Sequence, residues 1–576
     1  MRHPSYIRAE EFDRKLGDPY ADDTPFSFAG CLALDEREEF PEEICRLLDD
    51  LGVPAEYVPA VHGGALRGYE DLLHRVRLLA RRDLTVAIAH GKTYLGAVSA
   101  WVAADDEQAG ALGAQIASGA VVCWGLSERE HGSDLLAGEV TAVRDGDRYV
   151  ISGEKWPINN ATRSDLVCLL ARTAPGGGPR GFSLLLVDKR RIAGAFHSLP
   201  KARTSGVRGA DISGVCFTGA KVPANAVLGA PGAGLEIVLK SLQLTRTLCA
   251  ALSLGPADHA LRLALDFASA HRMYGRVLLD LPEVGRRLTE VYADLLVAEV
   301  VGLLAVRSIH ALPAELSVIS AVVKYLVPTT VDRMLDELGQ VLGARAYLTG
   351  RELGGGFQKI VRDHRIVGIF DGSTVVNLNA VINQFPVLAR AYRAGKRAGA
   401  GLAATTSLRD PLPAFDPSSL RLAVQDGVGL VQALPEAIEE LTSLAGLGSV
   451  SPALLATARA LWAETEDVHE AMAAYRPSAR DVPASAFVTA ERYALCFAGA
   501  ACLLAWLRNR ADAPPDDPLW TDGRWVHACL ARVVELLGGE PGAEPVGTLA
   551  PALLAQYRDG RLFSPWRCRL AGERRA

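Results

Sequence analysis

The sequence predicts a mostly helical α+β protein with one β region between helical parts. Apolar residues recur at three- and four-residue spacing through most of residues 1–120 and again after residue 235, as in amphipathic helices. Residues 121–235 instead hold short period-two runs separated by Gly- and Pro-rich turns, such as 175–179, which indicates a compact antiparallel β domain. Beyond residue 420 the helical spacing returns, so we expect an additional helical domain.

Length and charge limit the classes of function. The chain has 576 residues, and single cores stop growing near roughly 250–300 residues, so several domains are expected. Hydrophobic residues make up 49% of the chain, enough for an extensive core. The balance of 61 basic and 67 acidic residues leaves a net charge of −6, which offers no general attraction for nucleic acid or anionic membranes.

Cysteine usage and the first residues predict a cytoplasmic protein. The ten cysteines are scattered without a CxxC pair, which is typical of reduced thiols. Residues 1–18 lack an apolar segment, so no signal peptide is expected. Residues 290–327 are rich in Leu and Val but are interrupted by charges, which favours buried helices over a membrane span.

Four helices are predicted in the N-terminal part, and the last of them carries polar residues of interest. His90, Lys92 and Thr93 lie together on this helix, where they are either ordinary helix residues or part of a substrate channel. The predicted helices cover residues 9–16, 36–51, 69–80 and 86–102.

Residues 123–160 form the most informative stretch. The runs Val140–Val143 and Tyr149–Ile151 flank Asp145-Gly146, a dipeptide that favours a tight hairpin turn. Ahead of this hairpin, residues 127–134 form a polar, Gly-containing segment with many N–H groups and hydroxyls. Such a segment suits a ring system that needs hydrogen bonds along one edge, although most such segments are only loops.

Long apolar stripes after residue 235 predict an antiparallel four-helix bundle. A Gly-rich run at 229–234 precedes it and is interpreted as a linker, because no Lys-Ser/Thr follows as a P-loop requires. Bundle helices are predicted over residues 235–253, 257–271, 281–312, 317–339 and 376–392, and further helices over 420–444, 452–475, 484–511 and 526–537.

Two common site types are excluded by the sequence pattern. No His, Cys, Asp or Glu cluster has the spacing of metal ligands, so no metal site is predicted. No GxGxxG follows a predicted strand, which argues against a Rossmann nucleotide site.

The order of residues in the central stretch carries a family resemblance. Ser127-Glu128, Gly132-Ser133-Asp134 and the run 153–160 (GEKWPINN) resemble the Thr-Glu-x-x-x-Gly-Ser-Asp and Gly-x-Lys-x-Trp-Ile-Thr-Asn motifs of the acyl-CoA dehydrogenase family. The resemblance extends over roughly residues 10–390. It implies FAD as cofactor and the family order of helical domain, β domain and four-helix bundle, with the extra C-terminal helical domain of the larger members.

The implied domains follow the changes in pattern. They are an N-terminal helical domain at 1–120, a β-barrel-like flavin and substrate domain at 121–235, a four-helix bundle at 236–395, a linker at 396–420 and an additional helical domain at 421–576.

The resemblance also implies a catalytic base. Residues 362–373 (RDHRIVGIFDGS) resemble the family's Arg-Asp-x-x-Ile followed by Tyr-Glu-Gly-Thr, which puts Asp371 at the position of the catalytic Glu. Some members carry the base before an Arg in the first bundle helix, but Thr245 precedes Arg246 here. Asp shortens the reach of a base by roughly 1.3 Å. The other interpretation of Asp371 is a turn former before Gly372.

Further site residues come from the same resemblance. Trp156 lies one residue early, because Pro157 occupies its usual place, and His271 rather than Arg272 falls at the family Arg position. The bundle segment at 270–275, which resembles the family's Arg-x-x-Phe-Gly, and Gln340–Gly343 are implied to reach the dinucleotide of a neighbouring subunit, so a homo-dimer or tetramer is expected. The implied cofactor contacts are Leu126, Ser127, Gly132, Ser133, Trp156, Ile158, Asn159, His271, Arg272, Tyr274, Gln340, Gly343 and Ser373. The implied substrate contacts are Ser133, Arg246 and Gly372.

Three functions are compatible with these features. The first is an FAD-dependent dehydrogenase that oxidises an acyl thioester, carried by CoA or by a carrier protein, at its α and β carbons. The second is a flavin monooxygenase or decarboxylating oxidase of the same fold, such as an epoxyketone-forming enzyme, which would use oxygen. The third is a non-catalytic flavoprotein like the nucleic-acid-associated alkylation-response branch, which the net negative charge disfavours. The Ala- and Arg-rich composition, with only 4 Met, is typical of a high-GC bacterial source, where enzymes of this kind often serve specialised metabolism.

Overall fold

The computed structural model describes residues 3–176, 178–349, 356–395, 399–478, 481–514, 517–539 and 543–573. The start of the predicted linker, residues 396–398, and one residue of the predicted turn at 175–179 lie outside this set. The chain divides into two compact units. We call residues 30–68 and 83–245 the sheet unit, and residues 1–29, 69–82 and 246–576 the bundle unit.

Helices dominate the chain, as the fold class predicted. The helices are α1 Pro4–Lys15, α2 Phe28–Glu36, α3 Glu42–Asp50, α4 Tyr69–Arg82, α5 Leu84–Ala103, α6 Asp106–Ala117, α7 Gly234–Ala270, α8 Pro282–Ala311, α9 Leu316–Leu342, α10 Gly356–His364, α11 Thr374–Ile382, α12 Phe385–Arg393, α13 Ala400–Thr406, α14 Gly429–Gln432, α15 Leu434–Gly446, α16 Pro452–Ala474, α17 Ala484–Asn509, α18 Arg524–Leu536, α19 Ala543–Gly547 and α20 Ala550–Arg558.

The strands of the sheet unit build one eight-stranded sheet. Its order is β6-β7-β3-β2-β4-β5-β8, with β1 paired to β4. The β region is therefore confirmed, but the sheet is mixed, because β1 and β2 each run parallel to β4. The strands are β1 Val122–Gly125, β2 Thr141–Asp145, β3 Arg148–Asn159, β4 Leu166–Arg172, β5 Phe182–Asp188, β6 Phe196–Leu199, β7 Ile212–Pro223 and β8 Val227–Leu228, and a separate two-stranded ribbon pairs β9 Arg272–Met273 with β10 Arg276–Val277.

The predicted hairpin is formed by β2 and β3. Asp145 pairs with Arg148, so Gly146 and Asp147 make a two-residue turn, and Gly146 adopts the positive φ of +60° that favours glycine there. The alternating side chains Ala142, Tyr149 and Ile151 point into the core of the sheet unit. This hairpin fixes the direction in which β3 delivers the residues of the central motif.

The N-terminal helices differ from prediction in the bounds of one helix and in two additional helices, α2 and α6. The helix predicted over 36–51 is wrong, because α2 ends at Glu36 and α3 begins after Pro41, which cannot continue a helix from the preceding turn. Helix α6 was not predicted. It begins at Asp106, and the carboxylate of the preceding Asp105 accepts a hydrogen bond from the Gln108 N–H as an N-cap.

The first bundle helix is longer than predicted. Two helices were expected on either side of Pro256, but α7 runs through it without a break for 37 residues. A proline inside a helix removes one hydrogen bond, so tertiary packing must hold the helix together here. The neighbouring Gly255 shows this packing, since a Cβ atom there would lie 2.3 Å from the Arg77 carbonyl oxygen of α4.

Two other helix predictions also need correction. The single helix expected over 376–392 is two helices, α11 and α12, with Pro386 in the first turn of α12. The helix expected to start at Leu420 begins only at Gly429, again as two short helices, α14 and α15. The remaining C-terminal helices agree with prediction to within a few residues, except that α13, α19 and α20 were not foreseen.

The C-terminal end of the chain is fastened to the bundle by buried charges. Arg81 binds Asp258 at 2.7 Å and also contacts Glu573, and Arg262 lies 3.3 Å from the same Glu573 carboxylate. The Phe563 N–H donates to Asp258 at 3.0 Å. These contacts join α4, α7 and the last residues into one body.

Three helical stretches are long and apolar enough to cross a membrane by length and composition alone. They are Gly234–Ala270, Pro313–Tyr347 and Ala484–Asp512, and between 67% and 83% of the most apolar window of each is buried inside the protein.

Candidate active site

The predicted base lies in a loop of the bundle unit. Asp371 follows a series of turns after α10 and precedes α11, and its backbone adopts a φ of +56°. Asp tolerates this left-handed conformation better than most residues. Gly372 comes next with a φ of +96°. Two consecutive residues of positive φ give the loop its sharp turn at the predicted catalytic position.

Three helices hold the backbone of this loop. Arg246 of α7 donates from Nε to the Asp371 carbonyl oxygen at 2.7 Å. Lys324 of α9 donates to the carbonyl oxygens of Val367 at 2.6 Å and Gly372 at 3.3 Å. Asn377 of α11 donates to the Gly372 carbonyl oxygen at 2.8 Å. Because these donors come from separate elements, the loop has little freedom to move.

The carboxylate of Asp371 has its own contact. The Cys249 thiol on α7 donates to Asp371 Oδ2 at an S···O distance of 3.7 Å. Burial lowers the pKa of Arg246, and the nearby negative charge of Asp371 acts in the opposite direction. The loop thus places a carboxylate beside a buried guanidinium.

Gly372 and Ser373, two further predicted residues, have clear local roles. A Cβ atom at position 372 would lie 2.8 Å from Arg246 Nη2, so glycine is the residue that lets the guanidinium approach the loop. The Ser373 hydroxyl accepts a hydrogen bond from the Val376 N–H at 3.5 Å and caps α11. Thr245, the alternative base position, has a hydroxyl that donates to Leu242 O at 3.5 Å.

In the sheet unit, backbone and side-chain bonds join the two halves of the central motif. The Trp156 N–H donates to Ser127 O at 3.0 Å, and the Ser127 hydroxyl donates to Pro157 O at 3.2 Å. Lys155 donates to Leu126 O at 2.9 Å. The predicted contacts Leu126, Ser127 and Trp156 therefore lie side by side.

A buried ion pair beneath this motif was not assigned a role from the sequence. Lys155 Nζ lies 2.7 Å from Glu128 Oε1, and both side chains are at least nine-tenths buried. Glu128 also accepts from the N–H groups of Glu139 and Val140. Burial opposes the charge of Glu128, but Lys155 and these N–H groups outweigh it and lower its pKa, while burial lowers the pKa of Lys155. The available signal was that both charges lie inside the quoted motifs.

Asn159, at the end of β3, provides a test of whether the residues fit a flavin. Both its amide nitrogen and its amide oxygen are buried, and neither has a hydrogen-bond partner among the described residues. Leaving such a group unpaired is unfavourable. A flavin ring edge offers both donors and acceptors, so Asn159 fits the cofactor that the motif predicts. Ile158 beside it is buried in the sheet core.

The other predicted residues of the sheet unit are more exposed. Gly132 and Ser133 lie in an exposed loop that begins with paired hydrogen bonds between the main chains of Glu128 and His131. The Arg129 guanidinium lies 4.4 Å from the ring centre of Trp156, and the peptide bond after Trp156 is cis. Ser133 and Trp156 therefore both lie near the surface of the sheet unit.

The predicted second-subunit contacts form an exposed surface of the bundle unit. Tyr274 lies in the turn of the β9–β10 ribbon with 87% of its surface exposed. His271 stacks on the Phe267 ring at 4.8 Å, and the Arg345 guanidinium lies 4.7 Å from the same ring. Phe267 thus brings His271, which precedes the ribbon, together with Arg345 of the segment after α9. Gln340 is exposed in the last turn of α9, and Gly343 caps that helix.

A small cavity in the sheet unit is lined by two of the three polar residues noted on α5. It has a volume of about 70 Å³, and His90 and Thr93 line it. His90 accepts or donates through both ring nitrogens, to the Tyr57 hydroxyl at 2.7 Å and to Asp49 at 3.1 Å. The cavity is compatible with either role predicted for these residues. Among the described residues, no group of three His, Cys, Asp or Glu side chains could hold a metal ion.

The predicted site residues therefore divide between the two units. Asp371, Arg246, Gly372 and Ser373 lie together in the bundle unit, and His271, Arg272, Tyr274, Gln340 and Gly343 lie on another part of that unit. Leu126, Ser127, Gly132, Ser133, Trp156, Ile158 and Asn159 belong to the sheet unit.

Comparison with known proteins gives two matches to domain models of one family. The acyl-CoA dehydrogenase middle domain matches residues 123–220, and the acyl-CoA dehydrogenase C-terminal domain matches residues 232–385. The first covers the central motif, and the second covers the bundle with Asp371.

The chain is also similar to individual sequence relatives and to individual solved structures. A probable acyl-CoA dehydrogenase, FadE25 of Mycobacterium tuberculosis, is 26% identical over 60% of this chain and 87% of its own length. An acyl-CoA dehydrogenase complexed with FAD from Bacillus anthracis has a TM-score of 0.66 at 17% identity, over 96% of this chain and 88% of its own. The prolyl acyl carrier protein oxidase AnaB has a TM-score of 0.61 at 20% identity, over 67% and 99%.

Proposed function

We propose that this chain, which matches the middle and C-terminal domain models of the FAD-using acyl-CoA dehydrogenase family, oxidises an acyl thioester to its α,β-unsaturated form. The thioester is carried by CoA or by an acyl carrier protein. The observation that supports this proposal best is the position of Asp371 in a loop held by Arg246, Lys324 and Asn377. A base must be held firmly to remove a weakly acidic proton.

The residues of the chain carry out the proton half of the reaction. When bound, FAD supplies the acceptor for the hydride that leaves the β carbon. Asp371 takes the proton from the α carbon, and the electron pair of that C–H bond becomes the second bond between the α and β carbons. Arg246 fixes the main chain of Asp371 and keeps a positive charge beside the carboxylate before the proton arrives.

The shorter side chain of Asp371 sets a condition on this mechanism. An error of ~1 Å in the placement of a catalytic group can lower the rate on the order of 100-fold. The positive φ of Asp371 and the close packing of the Arg246 guanidinium against Gly372 define where the carboxylate can lie. We propose that the backbone of this loop compensates for the missing methylene.

Exposed aromatic residues support a homo-oligomer, either a dimer or a tetramer. Tyr274 and Tyr347 are 87% and 90% exposed, and Met273 and Leu348 add exposed apolar surface to the same two segments. Clustered exposed apolar groups are typical of interaction surfaces. We propose that these segments contact the cofactor of a second copy of the chain, and that the enzyme works in the cytoplasm.

Oxygen chemistry is the second candidate. The features that favour it are Asp in place of the usual Glu at position 371 and the Trp156-Pro157 pair, both unusual for the family. AnaB, which shares the fold, is described as an oxidase of a carrier-bound substrate. A flavin monooxygenase or decarboxylating oxidase would need oxygen as a substrate rather than a separate electron acceptor.

An anaerobic reduction experiment separates the two candidates. The purified protein is mixed without oxygen with a panel of acyl-CoA and acyl-carrier thioesters, and the visible absorbance of its flavin is followed. Bleaching by one class of thioester supports the dehydrogenase proposal and identifies the carrier. If no thioester bleaches the flavin, and oxygen is consumed with another acid substrate, the dehydrogenase proposal is wrong and oxygen chemistry replaces it.

A further inference from the structure

We propose that Cys249 is a positioning residue for Asp371, because its thiol orients the carboxylate through a hydrogen bond to Oδ2. The inference rests on the proposed role of Asp371 as the base. It concerns a pair of residues 122 positions apart that only the fold brings together.

The geometry of α7 gives Asp371 two points of attachment. Arg246 and Cys249 are three residues apart on this helix, so their side chains lie on neighbouring positions of one face. Arg246 binds the main-chain oxygen of Asp371 at 2.7 Å, and Cys249 binds the side-chain oxygen at 3.7 Å. One helix face thus fixes both the backbone and the carboxylate of the same residue.

The two attachments act on different parts of Asp371. A bond to the carbonyl oxygen holds the main chain in place. A bond to a carboxylate oxygen restrains the direction of the side chain. Such restraint matters more for Asp than for Glu, because the Asp side chain has one methylene fewer with which to adjust the position of its carboxylate.

The environment suits a thiol in this role. Cys249 is 2% exposed and lies within the helix, so its sulfur is held at a fixed distance from the loop. A thiol is a weak donor, but a carboxylate acceptor strengthens such a bond.

The test compares Cys249→Ala and Cys249→Ser with the intact holoenzyme. We expect Cys249→Ala to lower the rate constant of flavin reduction by about tenfold with little change in the substrate concentration for half-saturation, because substrate binding does not use the thiol. Cys249→Ser retains a donor and is expected to recover most of the rate. Cys496→Ala, which removes another fully buried helix cysteine of the bundle unit, serves as the matched control and should leave the rate unchanged.

A spectroscopic measurement tests the bond without any turnover. The infrared S–H stretching band of Cys249 is obtained as the difference between the wild type and Cys249→Ala. We expect this band to move toward the position of a free thiol in Asp371→Asn, because an amide is a weaker acceptor than a carboxylate. An unchanged band, or an unchanged reduction rate in Cys249→Ala, overturns the inference.

These outcomes are distinct from failure of the proposed function. If Asp371→Asn reduces its flavin as fast as the wild type, Asp371 is not the base and the proposed function fails at that residue. If Asp371→Asn is inactive while both Cys249 variants behave as the wild type, the base is correct and only the positioning role of Cys249 is wrong.

Discussion

The loop around Asp371 and the motif at the end of β3 differ in whether their polar groups have hydrogen-bond partners within the protein. The main-chain oxygens of Asp371 and Gly372 and the carboxylate of Asp371 all accept hydrogen bonds from side chains of the bundle unit. Asn159 in the sheet unit has a buried amide without a partner among the described residues. The protein itself supplies hydrogen-bond donors to the loop that holds the proposed base. At Asn159 we expect the bound cofactor to supply the hydrogen-bond partners.

The largest effect is expected from a change beneath the cofactor motif. Glu128→Gln leaves Lys155 as a buried charge without its partner, and we expect a loss of about 3–5 kcal/mol in the free energy of unfolding. Denaturant unfolding measures it. Glu154→Gln, which breaks the exposed pair with Arg129, is the matched control and should change stability by less than about 1 kcal/mol. Equal effects of the two substitutions would show that the buried pair does not support the motif.

A smaller effect is expected at Asn159, where one substitution should raise the stability of the apoprotein and lower its affinity for FAD. Replacement of this amide by Leu removes an unpaired buried group, so the protein without cofactor should gain about 1 kcal/mol of stability. The same substitution should weaken FAD binding by roughly tenfold, because one hydrogen-bonding group is lost. Thermal unfolding of the apoprotein and titration with FAD measure the two effects.

The neighbouring Asn160 provides the control for this comparison. Its amide donates to Ala89 O at 2.8 Å, and its φ of +59° is one that glycine accepts. Asn160→Gly should therefore destabilise the apoprotein. If Asn159→Leu also destabilises the apoprotein, the idea that its amide awaits a ligand is contradicted.

The smallest effect concerns a buried carboxylate in the bundle unit. Burial raises the pKa of Glu315 from 4.5 to about 7, although the Gly429 N–H donates to it at 2.8 Å. The folded protein therefore holds a proton that the unfolded chain releases between these two values, so stability should fall as pH rises through that range. Glu315→Gln should remove this slope, as followed by the unfolding midpoint from pH 4.5 to 8. A slope that persists in the variant would assign it to another group.

Local patterns predicted the parts of the fold that depend on neighbouring residues. The β2–β3 hairpin could be read from period-two runs around Asp145-Gly146, because strand alternation and turn type are set within about a dozen residues. The break expected at Pro256 was wrong because packing of Gly255 against α4, far away in sequence, overrides the local preference. Similarly, the sheet is mixed because β1 and β4 meet across 40 intervening residues.

The candidate site shows the same division. The position of Asp371 followed from a motif resemblance, and its role as base stays a prediction. Its positive φ and its contacts with Arg246 and Cys249 could not be predicted, because those residues are more than 120 positions away. Lys324 was read only as a charge that interrupts an apolar stretch, whereas in the fold it binds two carbonyl oxygens of the loop.

The central claim is that Asp371 is the base, and one measurement tests it most directly. Wild-type protein and Asp371→Asn, each with FAD bound, are mixed anaerobically with the thioester that bleaches the wild-type flavin, and the rate of bleaching is recorded. We predict that the variant keeps its flavin spectrum and is reduced roughly 1,000-fold more slowly, because the amide cannot accept the α proton. Reduction at the wild-type rate would contradict the account.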